Sequence, residues 1–265
     1  MPEGYIHGYG AEEEERLRVQ AAVLAPEVID PLPIRKAARV LEIGCGSGAE
    51  LELLVQRFPD QQFTGIELDA RHLTAAHHLL PQQVALVQGD AYRLPFDSNS
   101  FDAVLTIWVL EHLADPALAM REALRVLDFD GLLVCTEVDN ATMRFSADLP
   151  AIRHWWGCLC TRQQRDGGDP YVGVKLVQLA AQLGCTDILV EDVNPVSSLT
   201  MPQRRAEFVG YLENLMLSGA RRLIATRDVT QADMRALQTE FARLRREPDI
   251  DFEYHGVRLV CRRPN

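Results

Sequence analysis

The stretch Val40-Leu-Glu-Ile-Gly-Cys-Gly-Ser-Gly48 constrains this chain more than any other. An apolar run leads into three glycines spaced two apart. The pattern predicts a buried strand, a tight turn and a helix starting near Ala49. Glycine at Gly44, Gly46 and Gly48 lets the backbone turn sharply and lets a ligand approach with no β-carbon in the way. The helix that follows offers unpaired N–H groups at its positive end. Glu42 is the odd member, because an acid inside an apolar strand is costly to bury without a partner.

The spacing reads E-x-G-x-G-x-G. A pyrophosphate-binding turn favours G-x-G-x-x-G with no acid ahead of it. Position 49 is Ala, which argues against a nicotinamide dehydrogenase. A carboxylate beside the turn suits a ligand with a positive centre and no phosphate, and S-adenosylmethionine carries an ammonium, a sulfonium and no phosphate. On these residues the segment resembles motif I of the class I S-adenosylmethionine-dependent methyltransferases.

Downstream the chain alternates strands and helices. Strands are predicted over 40–43, 62–67, 84–88, 101–107 and 132–138, with helices over 49–58 and 71–80 and one opened by Asp115-Pro116. A helix over 11–29 precedes them, with Leu17, Ala21, Leu24 and Val28 on one face and Glu12 to Glu15 at its positive end. Beyond Asp139 the alternation pauses. The segment 140–170 is too long for a plain loop and is expected to carry its own helix. Helices over 171–183 and 203–225, a third opened at Thr230 in capping-box fashion, and strands over 188–193 and 252–262 complete the reading. The expected fold class is α/β, a doubly wound, mostly parallel, seven-stranded Rossmann-like sheet with a helical cap. The expected divisions are a lid segment and helix over 1–33, a cofactor-binding core over 34–139, and the rest of the sheet with substrate-cap insertions over 140–265.

The resemblance implies site residues at the strand tips. S-adenosylmethionine, with S-adenosylhomocysteine as product, would be held by Glu42, Gly44, Cys45, Gly46 and Gly48 from the first tip. Glu67 and Leu68 come from the second, with Asp69 as a competing acid; Asp90 and Ala91 come from the third, and Ile107 and Trp108 from the fourth. In this family Glu67 would accept the ribose hydroxyls and Asp90 the adenine amino group. Glu111-His112 resembles the E-H pair of the menaquinone and ubiquinone C-methyltransferases. His112 and Tyr9 are the catalytic candidates, and Trp108, His112, Glu137, His154, Trp155 and Trp156 the acceptor-side ones. An aromatic pair at 155–156 cannot share one helix face, so at least one ring is expected in the core. Tyr5, His7 and Tyr9 read equally as lid residues or as turn formers. The family's K-P-G-G turn before the fifth strand is here Asp128-Phe-Asp-Gly131.

The resemblance implies methyl transfer by in-line displacement, and the acidic composition, the lack of a nucleic-acid module and the helical cap point to a small-molecule acceptor, with secondary metabolism as the expected setting. The alternative from another class is a protein that binds the same cofactor without methylating, as a regulator or an isomerase-like catalyst. The net charge of −11 over 265 residues argues against a nucleic-acid or anionic-membrane partner. No run of eighteen apolar residues predicts a membrane span, and the start lacks a signal-peptide pattern. Six scattered cysteines, none in a C-x-x-C pair, fit a reducing cytoplasm and no metal site. Oligomeric state is not encoded in any pattern here.

Overall fold

In the computed structural model, which describes residues 5–194 and 202–264, the strands form one sheet. They are β1 (Arg39–Ile43), β2 (Gln62–Glu67), β3 (Ala85–Gln88), β4 (Phe101–Ile107), β5 (Leu127–Phe145), β6 (Thr186–Val193) and β7 (Phe252–Arg262). Their spatial order is β3-β2-β1-β4-β5-β7-β6. The pairs among β1 to β5 are parallel, and β7 runs antiparallel to both β5 and β6. The order reverses between β1 and β4, which places a crevice beyond the carboxyl ends of those strands.

Helices α1 (Ala11–Val28), α2 (Ala49–Arg57), α3 (Ala70–Leu79), α4 (Pro116–Val126) and α6 (Leu176–Gln182) flank the sheet. The cap consists of α5 (Pro150–Arg165), α7 (Pro202–Ser218), α8 (Ala220–Ala225) and α9 (Gln231–Arg246). Apolar side chains on the two sheet faces form two cores. Val40, Phe63 and Leu105 pack toward α1, α2 and the cap. Leu41, Ile43 and Val104 pack with α4 and α6. Alternation along β1 therefore puts Glu42 on the Val40 face, beneath α1 and α2. No helix among the described residues is long and apolar enough to cross a membrane.

Several elements differ from their sequence expectations. β5 is nineteen residues long rather than seven. The Asp128–Gly131 segment is not a turn ahead of the strand but a bulge within it. Phe101 pairs with Leu127 and Ala103 already with Leu132. Gly131 is required there, because a β-carbon would sit 2.7 Å from Leu127 Cγ and 3.0 Å from the Asp102 carbonyl oxygen. Past a second irregularity between Asp139 and Arg144, β5 continues to Phe145 because β7 extends opposite it. The expected helix over 203–225 is interrupted at Gly219 into α7 and α8, and the one over 171–183 begins as a 3-10 turn at Val172–Lys175. α1 contains Pro26 and ends at Val28, one residue short of the expected limit. The capping box at Thr230 and Asp233 is present, as is the Asp115 cap on Leu118 N–H at 3.0 Å.

Trp155 is fully buried, and its Nε1 donates to the Met216 carbonyl at 2.8 Å, which ties α5 to α7. Trp155→Ala is expected to lower stability by about 3–5 kcal/mol, from lost apolar burial plus an orphaned carbonyl. Urea unfolding reads this out, and a loss below about 1 kcal/mol would contradict the packing described.

Candidate active site

The tips of β1, β2, β3 and β4 surround one cavity of about 250 Å³. Gly44 and Gly46 line it from the first tip, Glu67 and Leu68 from the second, Asp90 and Ala91 from the third, and Trp108 from the fourth. His112 and Tyr9 line it as well. The sheet thus brings together nine residues named from sequence, drawn from positions up to 103 residues apart (9 to 112).

The glycine turn is shaped by close approach. Gly44 has φ +72, and a β-carbon on it would meet Val109 Cγ2 at 2.7 Å. Four of the turn's N–H groups are already engaged. Those of Gly44 and Cys45 donate to the Ile66 carbonyl at 2.8 and 3.1 Å, and Gly48 N–H to the Cys45 carbonyl at 2.8 Å. Gly46 N–H donates to Glu67 Oε2 at 3.0 Å. None of these four is left for a pyrophosphate. Glu67 also accepts Asp69 N–H on Oε1 at 2.9 Å, so its carboxylate clamps the turn to the β2 tip. Asp69, the competing acid, instead caps α3 and pairs with Arg71 at 2.6 Å. That pairing holds its carboxyl down to about 2.

Glu42 is 2% exposed, and its Oε2 has no hydrogen-bond partner. Burial, and then the neighbouring Glu50 and Glu67 charges, push its carboxyl well above the usual range. Glu50, at the start of α2, is raised to about 7 by burial. A buried acceptor with an unfilled valence beneath a glycine turn is the site a cationic donor would complete. Glu42 itself is not among the residues lining the cavity, so the fit of a phosphate-free adenosyl compound rests on four engaged turn N–H groups and on the acids at the β2 and β3 tips. Leu68, 55% exposed, offers an apolar wall beside Asp90.

Several residues named from sequence lie elsewhere. Cys45 is buried beneath the turn, its sulfur against Gly65. Gly48 is the left-handed N-cap of α2, packed on Leu80. Ile107 is in the apolar core, one residue short of the wall. Trp108 turns into the cavity because it has φ +54, its N–H held by the Thr136 carbonyl at 2.9 Å. Glu137 is fully buried under the 3-10 turn Leu110–His112. It accepts the N–H groups of Val109, Leu110 and Glu111 at 3.0, 2.8 and 3.3 Å, which is a structural post and not a cavity wall. His154 is exposed on α5 beside Cys158. Trp155 and Trp156 are both in the core, Trp156 donating to the Asn140 carbonyl at 2.9 Å.

Other groups carry no motif and emerge only in three dimensions. His72 on α3 is 5% exposed, lines the cavity and has an unpartnered Nε2. Tyr5 and Tyr9 pack on it with ring centroids 5.9 and 5.0 Å away. Arg71 stacks on Tyr9 at 3.8 Å, so the first described residues cover the site rather than trail from it. Tyr5 OH donates to Glu13 at 2.9 Å, and Glu13 is paired with Arg16 at 2.6 Å. Glu13 thus serves a buried ion pair rather than the α1 dipole.

A second, smaller chamber of about 50 Å³ shares Tyr5, Trp108 and His112 with the first. Glu111, Tyr211 and Tyr254 are among its other walls.

The family described as Methyltransferase domain matches residues 41–135. A demethylmenaquinone methyltransferase of Roseiflexus castenholzii is 39% identical over 101 residues, which is 38% of this chain and 42% of that protein. An uncharacterized 37.1 kDa protein in transposon TN4556 of Streptomyces fradiae is 31% identical over 187 residues, 69% of this chain and 52% of that one. The chain spans about half the length of the curated relatives it matches. Among solved structures, Haemonchus contortus phosphoethanolamine N-methyltransferase 2, in complex with phosphomonomethylethanolamine and S-adenosylhomocysteine, superposes with a TM-score of 0.57. The match covers 93% of this chain and 52% of that one at 19% identity, a likeness of fold.

Proposed function

Residues 41–135 match the family described as Methyltransferase domain, and from that premise we propose that the protein is a class I methyltransferase that transfers a methyl group from S-adenosylmethionine to a small-molecule acceptor. The observation that carries this reading is the single cavity shared by Glu67, Asp90 and Trp108 at the foot of a turn with four engaged N–H groups. Glu67 would accept the ribose hydroxyls, Asp90 the adenine amino group, and Glu42 the methionine ammonium. When bound, the cofactor supplies a methyl group already activated on a positive sulfur. The chain's contribution is then to position, to exclude water and to manage a proton. Tyr5 and Tyr9 close over the cavity and shut out solvent. Trp108 presents a π face, which favours positive charge. The small adjoining chamber and the net charge of −11 favour a small acceptor over a nucleic acid. The six free cysteines support a reducing compartment such as the cytoplasm.

Calorimetry with S-adenosylhomocysteine, followed by a single-turnover assay with labelled methyl donor against metabolite fractions, tests the reading. Uptake of the cofactor and label in a small-molecule fraction are expected. No uptake, or label confined to protein or RNA, would overturn it, and uptake without transfer to any fraction would favour the non-methylating alternative.

A further inference from the structure

Resting on the methyltransferase reading, we propose that the smaller chamber is the acceptor subsite, that it takes the nitrogen of a small amine, and that His7 accepts a hydrogen bond from the amine's N–H. Its size comes first. About 50 Å³ accommodates roughly three to five water-sized groups, since one such group needs about 10–15 Å³. The chamber therefore holds the reacting end of an acceptor. Its position follows from the shared wall of Tyr5, Trp108 and His112, which sets it directly against the cofactor cavity.

Its chemistry follows from its walls. Four aromatic rings, Tyr5, Trp108, Tyr211 and Tyr254, surround one carboxylate, Glu111, and no Lys or Arg lines the space among the described residues. The nearby Arg16 guanidinium is committed to Glu13 and Gln20. π faces and a carboxylate attract a cation and penalise an anion, so a phenolate, enolate or thiolate is disfavoured and an amine favoured. Glu111 is buried to about nine-tenths and fixed by Gln163, whose amide donates to its Oε2 at 2.9 Å and to its carbonyl at 3.1 Å. During transfer the positive charge leaves sulfur and develops on nitrogen. Groups that favour a cation in this chamber thus act more strongly on the transition state than on the ground state.

His7 supplies the acceptor for the amine's N–H. Ser218 Oγ donates its single proton to the Leu215 carbonyl at 2.7 Å. It can then only accept in its 2.6 Å contact with His7 Nδ1, so His7 carries its proton on Nδ1 and has an open lone pair on Nε2. Burial, and then the Arg16 and His112 charges, hold the His7 imidazole well below its usual range and thus neutral. The other groups facing this space are Tyr5 beside it, Gln20 on α1, Glu111 before His112, Tyr211 on α7 and Tyr254 on β7. His112 has no comparable anchor, because the two amide protons of Gln163 go to Glu111 and only a 3.4 Å approach to Nδ1 remains. The step balances. The amine enters as its free base, one N–H donating to the open lone pair of His7 Nε2, and the nitrogen lone pair forms the new N–C bond. The old S–C pair stays on sulfur, and the methylated nitrogen carries the positive charge.

The test uses the full chain labelled with ¹⁵N-histidine and saturated with S-adenosylhomocysteine. Titration with dimethylammonium chloride and with its neutral isostere dimethyl ether is followed on the histidine resonances. We expect dimethylammonium to bind with a Kd on the order of 1 mM, as three heavy atoms allow, and at least about tenfold more tightly than the ether. Glu111→Gln should erase that preference, and Tyr211→Leu serves if the first variant does not fold. The His7 nitrogens should report a neutral Nδ1–H ring at neutral pH, and Ser218→Ala should mix the tautomers. Equal affinity for the two probes, a preference that survives both substitutions, or a charged or Nε2–H His7 would overturn the proposal while leaving the methyltransferase reading intact. Failure of the wild-type chain to take up S-adenosylhomocysteine would bring down both.

Discussion

Glu67→Ala is expected to weaken S-adenosylhomocysteine binding by about 100-fold, or ~2.7 kcal/mol. Two losses combine. The carboxylate accepts Gly46 N–H at 3.0 Å and Asp69 N–H at 2.9 Å, so its removal frees the glycine turn from the β2 tip. It also removes the acid that would receive the ribose hydroxyls, and hydrogen bonds to a charged acceptor contribute about 1.5–3 kcal/mol each. Glu67→Gln keeps one acceptor oxygen and should lose only about tenfold. Calorimetric titration of the two variants measures this, and an unchanged Kd for Glu67→Ala would remove Glu67 from the cofactor site.

Glu137→Ala is expected to destabilise the fold by about 3 kcal/mol near pH 5, and by clearly less near pH 9. The penalty arises because three buried N–H groups, on Val109, Leu110 and Glu111, lose their only described acceptor together. The pH dependence follows from the acid itself. Burial, and then the Glu111 charge, push the Glu137 carboxyl up to about 8, with the three N–H groups only partly countering. An unfolded glutamate titrates near 4.3. Between those values the folded chain holds the proton more tightly. The stability present below about pH 4 is therefore lost as pH rises toward 8, by an amount on the order of 5 kcal/mol. Alanine has no proton to lose, so wild type and variant converge in alkali. Urea unfolding at both pH values tests this. A penalty that grows with pH would mean that Glu137 is ionised in the fold throughout.

The sheet was legible because a parallel strand buried on both faces leaves a dense apolar signature, and because Gly, Asp and Pro mark its ends. The limits of β2, β4 and β7 match the expected ones to the residue. β5 was underestimated because its extension depends on a partner 107 residues away, Phe252 opposite Phe145, and no local pattern encodes that pairing. The cap helix broke at Gly219 because apolar periodicity on either side reads through a single glycine. The larger cavity was visible in outline, since strand tips carry their chemistry in short segments. The smaller chamber was not. Tyr211, Tyr254 and Gln20 come from three elements with no shared motif, and each reads on its own as an ordinary core or surface residue. Glu13 reads in sequence as one of four acids at the positive end of α1, and only the fold shows it accepting from Tyr5 and pairing with Arg16. Trp155 and Glu137 were the opposite case, chemically suggestive side chains whose work is mechanical.

The placement of β7 carries a consequence for the order in which the molecule can be assembled. The strand inserted between β5 and β6 is the one synthesised after both. During translation β6 thus has no sheet neighbour to join until residues 252–262 have left the ribosome. A nonsense mutation just ahead of Phe252 would therefore strip two strands from the sheet rather than one, and would leave β5 as a raw apolar margin open to other chains.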